Sequence, residues 1–178
     1  MVKAELINDA VFIYDDSEAQ SIFNSGWYGI IGAGKLELAL IEAALLCERQ
    51  RIEIVQNGKN ISLDKFFKYC SKLDKRFNVR YAVYRDLRER GLPVRTGLKF
   101  GCDFRVYERG VKPLKKGPKE EVEHTKWVVF AVSEDYACSF HELARSVRLA
   151  HNIRANMLWA VVDSDKNVTY YEIKYLRV

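Results

Sequence analysis

The sequence contains three histidines, which are the first residues to consider for proton-transfer chemistry. His141 and His151 fall inside a predicted helix, where an exposed or structural role is the ordinary interpretation. His124 instead follows an acidic stretch and directly precedes a predicted strand. A histidine at a loop–strand junction can present its imidazole to a cleft, and imidazole titrates near neutral pH. His124 is therefore a candidate for proton transfer, although taken alone a surface histidine is the commoner interpretation of such a position.

One glycine-rich segment resembles a phosphate-binding loop. Residues 29–36, GIIGAGKL, follow the pattern G-x-x-x-x-G-K-[ST] up to its last position. Leu36 stands where the pattern needs the hydroxyl that binds magnesium, and the preceding segment is weak as a buried strand. We interpret the segment as a flexible lead into the next helix.

The sequence gives no sign of a metal site or of a disulfide framework. The acidic residues between positions 103 and 123 have no recognisable metal-ligand spacing, and we interpret them as solvated ion pairs; they are Asp103, Glu108, Glu120, Glu121 and Glu123. The four cysteines are far apart and form no C-x-x-C pair, which is typical of small buried hydrophobic side chains. We expect no metal and no cofactor.

The charge distribution favours a polyanionic partner. The net charge is +5, but residues 1–70 carry −3 and residues 71–178 carry +8. Such polarity suggests that the C-terminal part meets nucleic acid, without establishing it. No apolar run approaches the ~20 residues that a membrane span needs, and the N-terminus lacks an apolar signal core. The expectation is a cytoplasmic protein with no membrane partner.

Two domains are predicted around these residues. Residues 1–78 form a small α+β domain, with a strand or hairpin over 4–14, an extended piece from Gly26, a helix over 36–49, a strand over 52–55 and a helix over 62–77 capped by Ser62. Residues 79–178 form an α/β domain with a mixed central sheet flanked by helices.

The second domain is predicted in the order α-β-β-β-α-β-β. The predicted ranges are a helix over 79–90, strands over 93–98, 103–108 and 127–132, a helix from Ser139 to about Ala155, and strands over 157–162 and 168–175. Ser139 and Glu142 have the spacing of a capping box at the start of the second helix.

A colinear set of motifs in this second domain resembles the archaeal tRNA-splicing endonucleases. The motifs are YRDLRERG (84–91), VRTGLKFG (94–101), DFRVYERG (103–110), VRLAHNIR (147–154) and VVD (161–163). The similarity covers essentially all of residues 79–178 and, more weakly, residues 1–78. It implies a nuclease that cuts precursor tRNA at a bulge-helix-bulge without metal, leaving a 2′,3′-cyclic phosphate and a 5′-hydroxyl.

The resemblance also implies three catalytic positions, and the sequence departs from the family pattern at one of them. The family tyrosine falls on Tyr107, which would assist or position the nucleophile, and the family histidine falls on His124 as general acid. The lysine that should follow Arg154 is replaced by Ala155. Loss of one positioned electrostatic stabiliser costs on the order of 10²–10³ in rate. The alanine favours an engineered inactive form of a catalytic subunit, and the alternative is a natural non-catalytic or weakened subunit.

The segment between Tyr107 and His124 is longer than in homotetrameric family members and resembles an extra loop of crenarchaeal-type enzymes. Its basic part has four lysines around two prolines: Lys112, Lys115, Lys116 and Lys119. Lysines in such a loop suit RNA phosphates, although a merely solvated loop is the alternative. The resemblance implies a heterotetramer with a second, structural subunit, and a homotetramer is the alternative.

Three further positions gain an expected role from the resemblance. Arg148 matches an arginine that helps to clasp a flipped bulge base, although an ordinary helix-surface arginine fits nearly as well. Asp163 and Asp165 match an acidic loop that inserts into a basic pocket of a neighbouring subunit, which makes them interface candidates.

Overall fold

A computed structural model of the chain describes residues 1–97, 101–113 and 124–176. The chain divides into two compact units, residues 1–78 and 79–178. Within the described part, no helix has the length and apolar character that crossing a membrane requires.

The first unit is a six-stranded sheet with three helices. Its elements are β1 (Val2–Ile7), β2 (Ala10–Ile13), α1 (Asp16–Asn24), β3 (Ile30–Gly32), β4 (Lys35–Ala39), α2 (Leu40–Glu48), β5 (Ile52–Gln56), β6 (Lys59–Asn60) and α3 (Leu63–Leu73). The strand order is β3-β4-β2-β1-β5-β6, and β1 pairs with β5 in parallel while its other neighbour is antiparallel. The predicted hairpin over 4–14, the strand near 52–55 and the Ser62 cap are confirmed.

The helix predicted over 36–49 is wrong in its first part. Residues 35–39 form strand β4, in which Leu36 and Leu38 are buried and Glu37 between them is exposed, an alternation that belongs to a strand. Helix α2 starts only at Leu40. The buried Glu42 carboxylate fixes this start, since it accepts hydrogen bonds from the Ala39 N–H at 2.9 Å and the Gly29 N–H at 3.0 Å.

Strand β4 is also part of the hairpin that contains the glycine-rich segment, residues 29–36. β3 and β4 are antiparallel neighbours with Gly32 opposite Lys35, so Ala33 and Gly34 form a tight turn with φ of 50° and 74°. A phosphate loop must end at a helix N-terminus, and here Lys35 opens a strand instead. The segment is thus a turn between two strands, neither a phosphate loop nor the flexible lead into a helix that the sequence suggested.

The second unit is a five-stranded mixed sheet. Its elements are α4 (Phe77–Glu89), β7 (Val94–Thr96), β8 (Phe104–Val106), β9 (Trp127–Ser133), α5 (Phe140–Asn152), β10 (Asn156–Val162) and β11 (Val168–Ile173). The strand order is β11-β10-β9-β8-β7, with β9 and β10 parallel and the other pairs antiparallel. The predicted order α-β-β-β-α-β-β and the mixed sheet are confirmed.

Helices cover both faces of this sheet. On one face, the α5 residues Val147 and Ala150 form a core cluster with Val128 and Met157. On the other face, α4 packs the Tyr84 ring 5.6 Å from the Phe104 ring, and Asp86 and Tyr170 hydrogen-bond at 2.6 Å. The sheet is therefore flanked by helices, as the sequence predicts.

Helix α5 begins where predicted and ends earlier. The Ser139 side chain accepts a hydrogen bond from the Glu142 N–H at 3.2 Å, while the Glu142 carboxylate bonds the Tyr136 hydroxyl. The helix stops at Asn152 because Arg154 takes a left-handed conformation with φ of 57°. Ala155 consequently lies outside the helix, in the short link to β10.

Asp103 is not the solvated acid that the sequence suggested. It is 2% exposed, one carboxylate oxygen lies 3.1 Å from Arg80 Nε, and the other accepts from the Ala131 N–H at 2.9 Å. Burial of a charge is tolerated when it is paired and hydrogen-bonded. Asp103, which directly precedes β8, thus links α4 to β9.

Candidate active site

Tyr107 directly follows strand β8. Its backbone N–H donates to the Pro93 carbonyl at 3.0 Å, so the residue is held against the adjoining segment of β7. Its ring is 2% exposed and belongs to the largest fully buried side chains of the chain. The tyrosine is therefore fixed at the end of a strand, with its ring inside the unit.

His124 lies at the same end of the neighbouring strand. It precedes β9 by three residues, and Trp127 at the start of β9 is paired with Val106 at the end of β8. The His124 side chain is exposed. Antiparallel pairing therefore brings the residue after β8 and the residues before β9 to one edge of the sheet.

Ala155 reaches this edge from a third strand. Asn156, the first residue of β10, donates its N–H to the Lys126 carbonyl at 2.9 Å, and the Lys126 N–H donates to the Val106 carbonyl at 2.9 Å. Neighbouring strands are ~4.8 Å apart, so β8 and β10 are roughly 10 Å apart across β9. Tyr107, His124 and Ala155, predicted from separate motifs, lie at one edge of three consecutive strands.

The structure also shows a cavity beside Ala155 that sequence reasoning did not predict. It has a volume of about 430 Å³, within the size range of small-ligand sites, and lies between α5, the start of β10 and the end of β11. Its polar and aromatic lining includes His151, Glu172, Lys174 and Tyr175. His151, interpreted as structural or surface, is exposed and faces the Tyr175 ring at 6.3 Å between centroids.

Lys126 is the functional candidate that sequence reasoning missed. Its ammonium pairs with the Glu108 carboxylate and lies 4.9 Å from the centre of the Trp127 ring. It therefore brings a positive charge to the edge that Tyr107 and Ala155 share. The available signal was its position, two residues after His124 and one before a strand.

The predicted RNA-binding residues divide into two groups. Lys112 and Arg148 are exposed, and Arg148 is three residues before His151 on α5, so the two side chains are neighbours on the helix surface. The other three predicted lysines lie outside the described residues: Lys115, Lys116 and Lys119. Arg148 is thus on the helix that borders the cavity.

The predicted interface aspartates lie at the opposite end of the β10–β11 hairpin. The Asp163 carboxylate accepts from the Asn167 N–H at 2.8 Å and from its side-chain amide at 3.1 Å. These hydrogen bonds, the backbone one first, hold the pKa of the Asp163 carboxyl below its usual value. Asp165 is exposed. Asp163 therefore stabilises the turn itself, whereas Asp165 presents its charge to solvent.

No group of three or more histidine, cysteine or acidic side chains that could hold a metal ion occurs within residues 1–97, 101–113 and 124–176. The described donors at the edge are a phenol, an imidazole and an ammonium, which suit proton transfer and the neutralisation of a phosphate charge.

Family models match both parts of the chain. The family model of the tRNA intron endonuclease catalytic C-terminal domain matches residues 77–170, and that of the tRNA intron endonuclease N-terminal domain matches residues 2–67. The chain is 38% identical to the tRNA-splicing endonuclease of Thermococcus onnurineus over 176 residues, covering 99% of this chain and 97% of that protein.

Two further tRNA-splicing endonucleases are similar to this chain. The tRNA-splicing endonuclease of Thermococcus kodakarensis is 38% identical over 177 residues, 99% of each chain. That of Nanoarchaeum equitans is 43% identical over 139 residues, 78% of this chain and 88% of that protein. With both domain models matched in order and relatives covered almost end to end, this chain belongs to the tRNA intron endonuclease family.

Proposed function

We propose that this chain is a subunit of a tRNA-splicing endonuclease that cleaves precursor tRNA at bulge-helix-bulge intron junctions. Family membership supports tRNA intron cleavage. The observation that carries the site assignment is the pairing of Val106 with Trp127, because it brings Tyr107 and His124 to one edge of the sheet.

The proposed reaction is a metal-independent transesterification. The 2′-oxygen of the nucleotide before the cut attacks the adjoining phosphorus, the phosphorus–O5′ bond breaks, and the products are a 2′,3′-cyclic phosphate and a 5′-hydroxyl. Tyr107 assists or positions the 2′-hydroxyl, whose proton passes to solvent as the 2′-oxygen attacks. His124 protonates the departing 5′-oxygen, so the proton lost on one side is matched on the other.

Tyr107 must meet the RNA for this role, and its ring is buried in the chain alone. Catalytic contacts are often incomplete without substrate and form only in the complex. The proposal therefore requires the RNA to uncover the Tyr107 hydroxyl, whereas His124 is already exposed.

Ala155 limits the proposed activity. The phosphorane formed during transesterification carries extra negative charge, and an alanine methyl group cannot stabilise it. A single preorganised stabiliser contributes on the order of 10²–10³ in rate. We therefore expect this chain to cleave more slowly than its Ala155→Lys variant.

The same alanine motivates a second candidate function, that of a non-catalytic structural or RNA-binding subunit. The net charge of +8 over residues 71–178 suits RNA binding in either case. Lys112, Lys115, Lys116 and Lys119 are proposed phosphate contacts, and Arg148 is proposed to stack on a bulge base. Assembly with a second structural subunit in a heterotetramer is the proposed state, with a homotetramer as the alternative and Asp163 and Asp165 at the interface.

The reaction class is tested by the ends of the products. A 5′-labelled bulge-helix-bulge RNA is incubated in EDTA with the chain and with its Ala155→Lys variant, each alone and with the candidate partner subunit. The upstream fragment should resist phosphatase until acid opens its cyclic phosphate, and the downstream fragment should accept phosphate from a kinase without pretreatment. A 3′-hydroxyl with a 5′-phosphate, or cleavage that EDTA abolishes, contradicts the mechanism. If the chain and its Ala155→Lys variant both assemble and bind the RNA but neither cleaves it, the result favours a structural subunit.

A further inference from the structure

Lys126 lies between the candidate position that follows β8, Tyr107, and the one that precedes β10, Ala155. Its N–H donates to the Val106 carbonyl, next to Tyr107, and its carbonyl accepts from the Asn156 N–H, next to Ala155. We propose that Lys126 is a further catalytic residue of this chain, whose ammonium stabilises the negative charge of the phosphorane that Ala155 cannot. The inference rests on the proposed function and deepens it.

The backbone pairing brings Lys126 within reach of that charge. Lys126 is one strand spacing, ~4.8 Å, from the segment that holds Ala155 and one from the end of β8. A lysine carries its ammonium on a flexible four-carbon stem, which is longer than one strand spacing. An ammonium based at residue 126 can therefore reach the same point in space as one based at residue 155.

The side-chain face agrees with this placement. Val128 is paired with Met157, and both pack in the cluster that α5 covers, together with Ala155. Side chains alternate along a strand, so residue 126 shares the face of Val128. Lys126 thus emerges on the sheet face that Ala155 borders.

The ion pair between Lys126 and Glu108 can be replaced by a contact between Lys126 and a phosphate oxygen. The Lys126 and Glu108 side chains are 40% and 41% exposed, and ion pairs so exposed contribute little because water competes for both charges. A dianionic phosphorane is a stronger partner for an ammonium than one solvated carboxylate. The Trp127 ring 4.9 Å away favours a cation at this position and keeps its charge near the edge.

The reaction balance is unchanged by this role. The O2′–phosphorus bond forms, the phosphorus–O5′ bond breaks, the 2′-hydroxyl proton passes to solvent, and the 5′-oxygen receives its proton from His124. Lys126 stays protonated throughout and exchanges its contact with Glu108 for one with a non-bridging phosphate oxygen.

Lys174 is the competing cation at this edge. It follows β11 and lines the cavity beside Ala155, with its ammonium 3.8 Å from a Glu172 oxygen. In the order β11-β10-β9-β8, however, Lys174 is three strands from Tyr107, whereas Lys126 is one strand away. The geometry therefore favours Lys126.

A double-mutant cycle tests the proposal on the assembled protein, with its partner subunit present and its mass confirmed by light scattering. Single-turnover rate constants on bulge-helix-bulge RNA and RNA dissociation constants are measured for the chain, Lys126→Ala, Ala155→Lys and the double variant. Lys126→Ala should slow cleavage about 10²-fold while the dissociation constant changes by less than about threefold. In the Ala155→Lys background the same change should cost less than about threefold, because the second lysine supplies the charge.

Three comparison variants separate catalysis from folding or general charge. Lys126→Arg should retain part of the rate. Lys72→Ala removes an exposed lysine of the first unit and should leave the rate unchanged. Lys174→Ala tests the competing cation. Thermal unfolding of each variant reports folding.

The outcomes distinguish this inference from the proposed function. If Ala155→Lys cuts and the unaltered chain does not, or if Lys126→Ala costs the same in both backgrounds, the Lys126 role is wrong and the proposed function stands. A loss confined to Lys174→Ala also overturns it. If no variant cuts despite RNA binding and assembly, the proposed function fails and the inference fails with it.

Discussion

Arg80 and Asp103 form a buried ion pair, with Arg80 Nε 3.1 Å from an Asp103 carboxylate oxygen and side-chain exposures of 13% and 3%. The pair joins α4 to the strand that leads to Tyr107. The second carboxylate oxygen of Asp103 accepts a hydrogen bond from the Ala131 N–H of β9. Asp103 therefore links both α4 and β9 to the start of β8, the strand that Tyr107 follows.

Asp103→Ala should therefore lower the free energy of unfolding by about 3–5 kcal/mol, because it removes one member of a largely buried ion pair and the acceptor of the Ala131 N–H hydrogen bond. Urea denaturation followed by circular dichroism measures the change. Glu89→Ala is the matched control, since it breaks the Arg85–Glu89 pair, which is about half exposed, and should cost less than ~0.5 kcal/mol. Equal effects of the two variants would show that the buried pair does not hold the second unit together.

Cysteine reactivity should follow burial. Burial raises the pKa of Cys70 to about 12 and that of Cys102 to about 11, whereas Cys138 is exposed. A raised thiol pKa means less thiolate at a given pH, so the two buried cysteines remain protonated at pH 8 and do not react. Iodoacetamide should label Cys138 first in the folded chain and all four cysteines in urea, as read by peptide mass spectrometry. Labelling of Cys102 at the rate of Cys138 would contradict the described packing.

Gly97 should not tolerate a side chain. An added Cβ would lie 2.3 Å from Cys102 Sγ and 2.9 Å from the Cys102 carbonyl oxygen, and the latter cannot move without the backbone. Overpacking of this kind costs typically 1–3 kcal/mol, about the loss expected for Gly97→Ala in thermal or urea unfolding. Gly32→Ala is the control, because nothing lies within 4 Å of its added Cβ. A Gly97→Ala variant as stable as Gly32→Ala would contradict this close approach.

Tyr170 should contribute to stability in a pH-dependent manner. Burial, and then the hydrogen bond to Asp86, raise the pKa of the Tyr170 phenol. The folded chain thus retains a proton that the unfolded chain releases near pH 10, so this contribution is present below pH ~10 and declines above it. Tyr170→Phe should lower the melting temperature at pH 8, and the difference from the unaltered chain should shrink by pH 11. A difference that grows with pH would reverse the assigned direction.

The elements of the fold could be predicted where one hydrophobic period dominates. Helix α1 (Asp16–Asn24) was not predicted, and the helix predicted over 36–49 shows how a local pattern misleads. Strands β8 to β11 and helices α3 to α5 have clear patterns, although α3 ends at Leu73 rather than at residue 77 and α5 ends at Asn152 rather than near Ala155. The helix predicted over 36–49 included strand β4 because leucine and alanine suit a helix locally, while the Gly29–Glu42 contact that fixes the helix start joins residues 13 positions apart. Such a contact leaves no local pattern.

The candidate site was predictable in composition and only partly in arrangement. Motif resemblance indicated Tyr107, His124 and Ala155, and sheet pairing brings their segments together. It did not indicate the burial of Tyr107 or the cavity beside Ala155. It also did not identify Lys126, whose role depends on simultaneous pairing with β8 and β10, a relationship between residues far apart in sequence.

The assignment of the active site is tested by single-turnover cleavage of a bulge-helix-bulge RNA in EDTA by the Ala155→Lys protein, with and without His124→Ala. We expect cleavage at the intron junctions by the first protein and a loss of about 10²–10⁴ in rate on removal of His124, the range for a general acid. His141→Ala, which removes another exposed histidine, should leave the rate unchanged. Equal rates with and without His124, or no cleavage by an assembled protein that binds the RNA, would contradict the assignment of this edge as the active site.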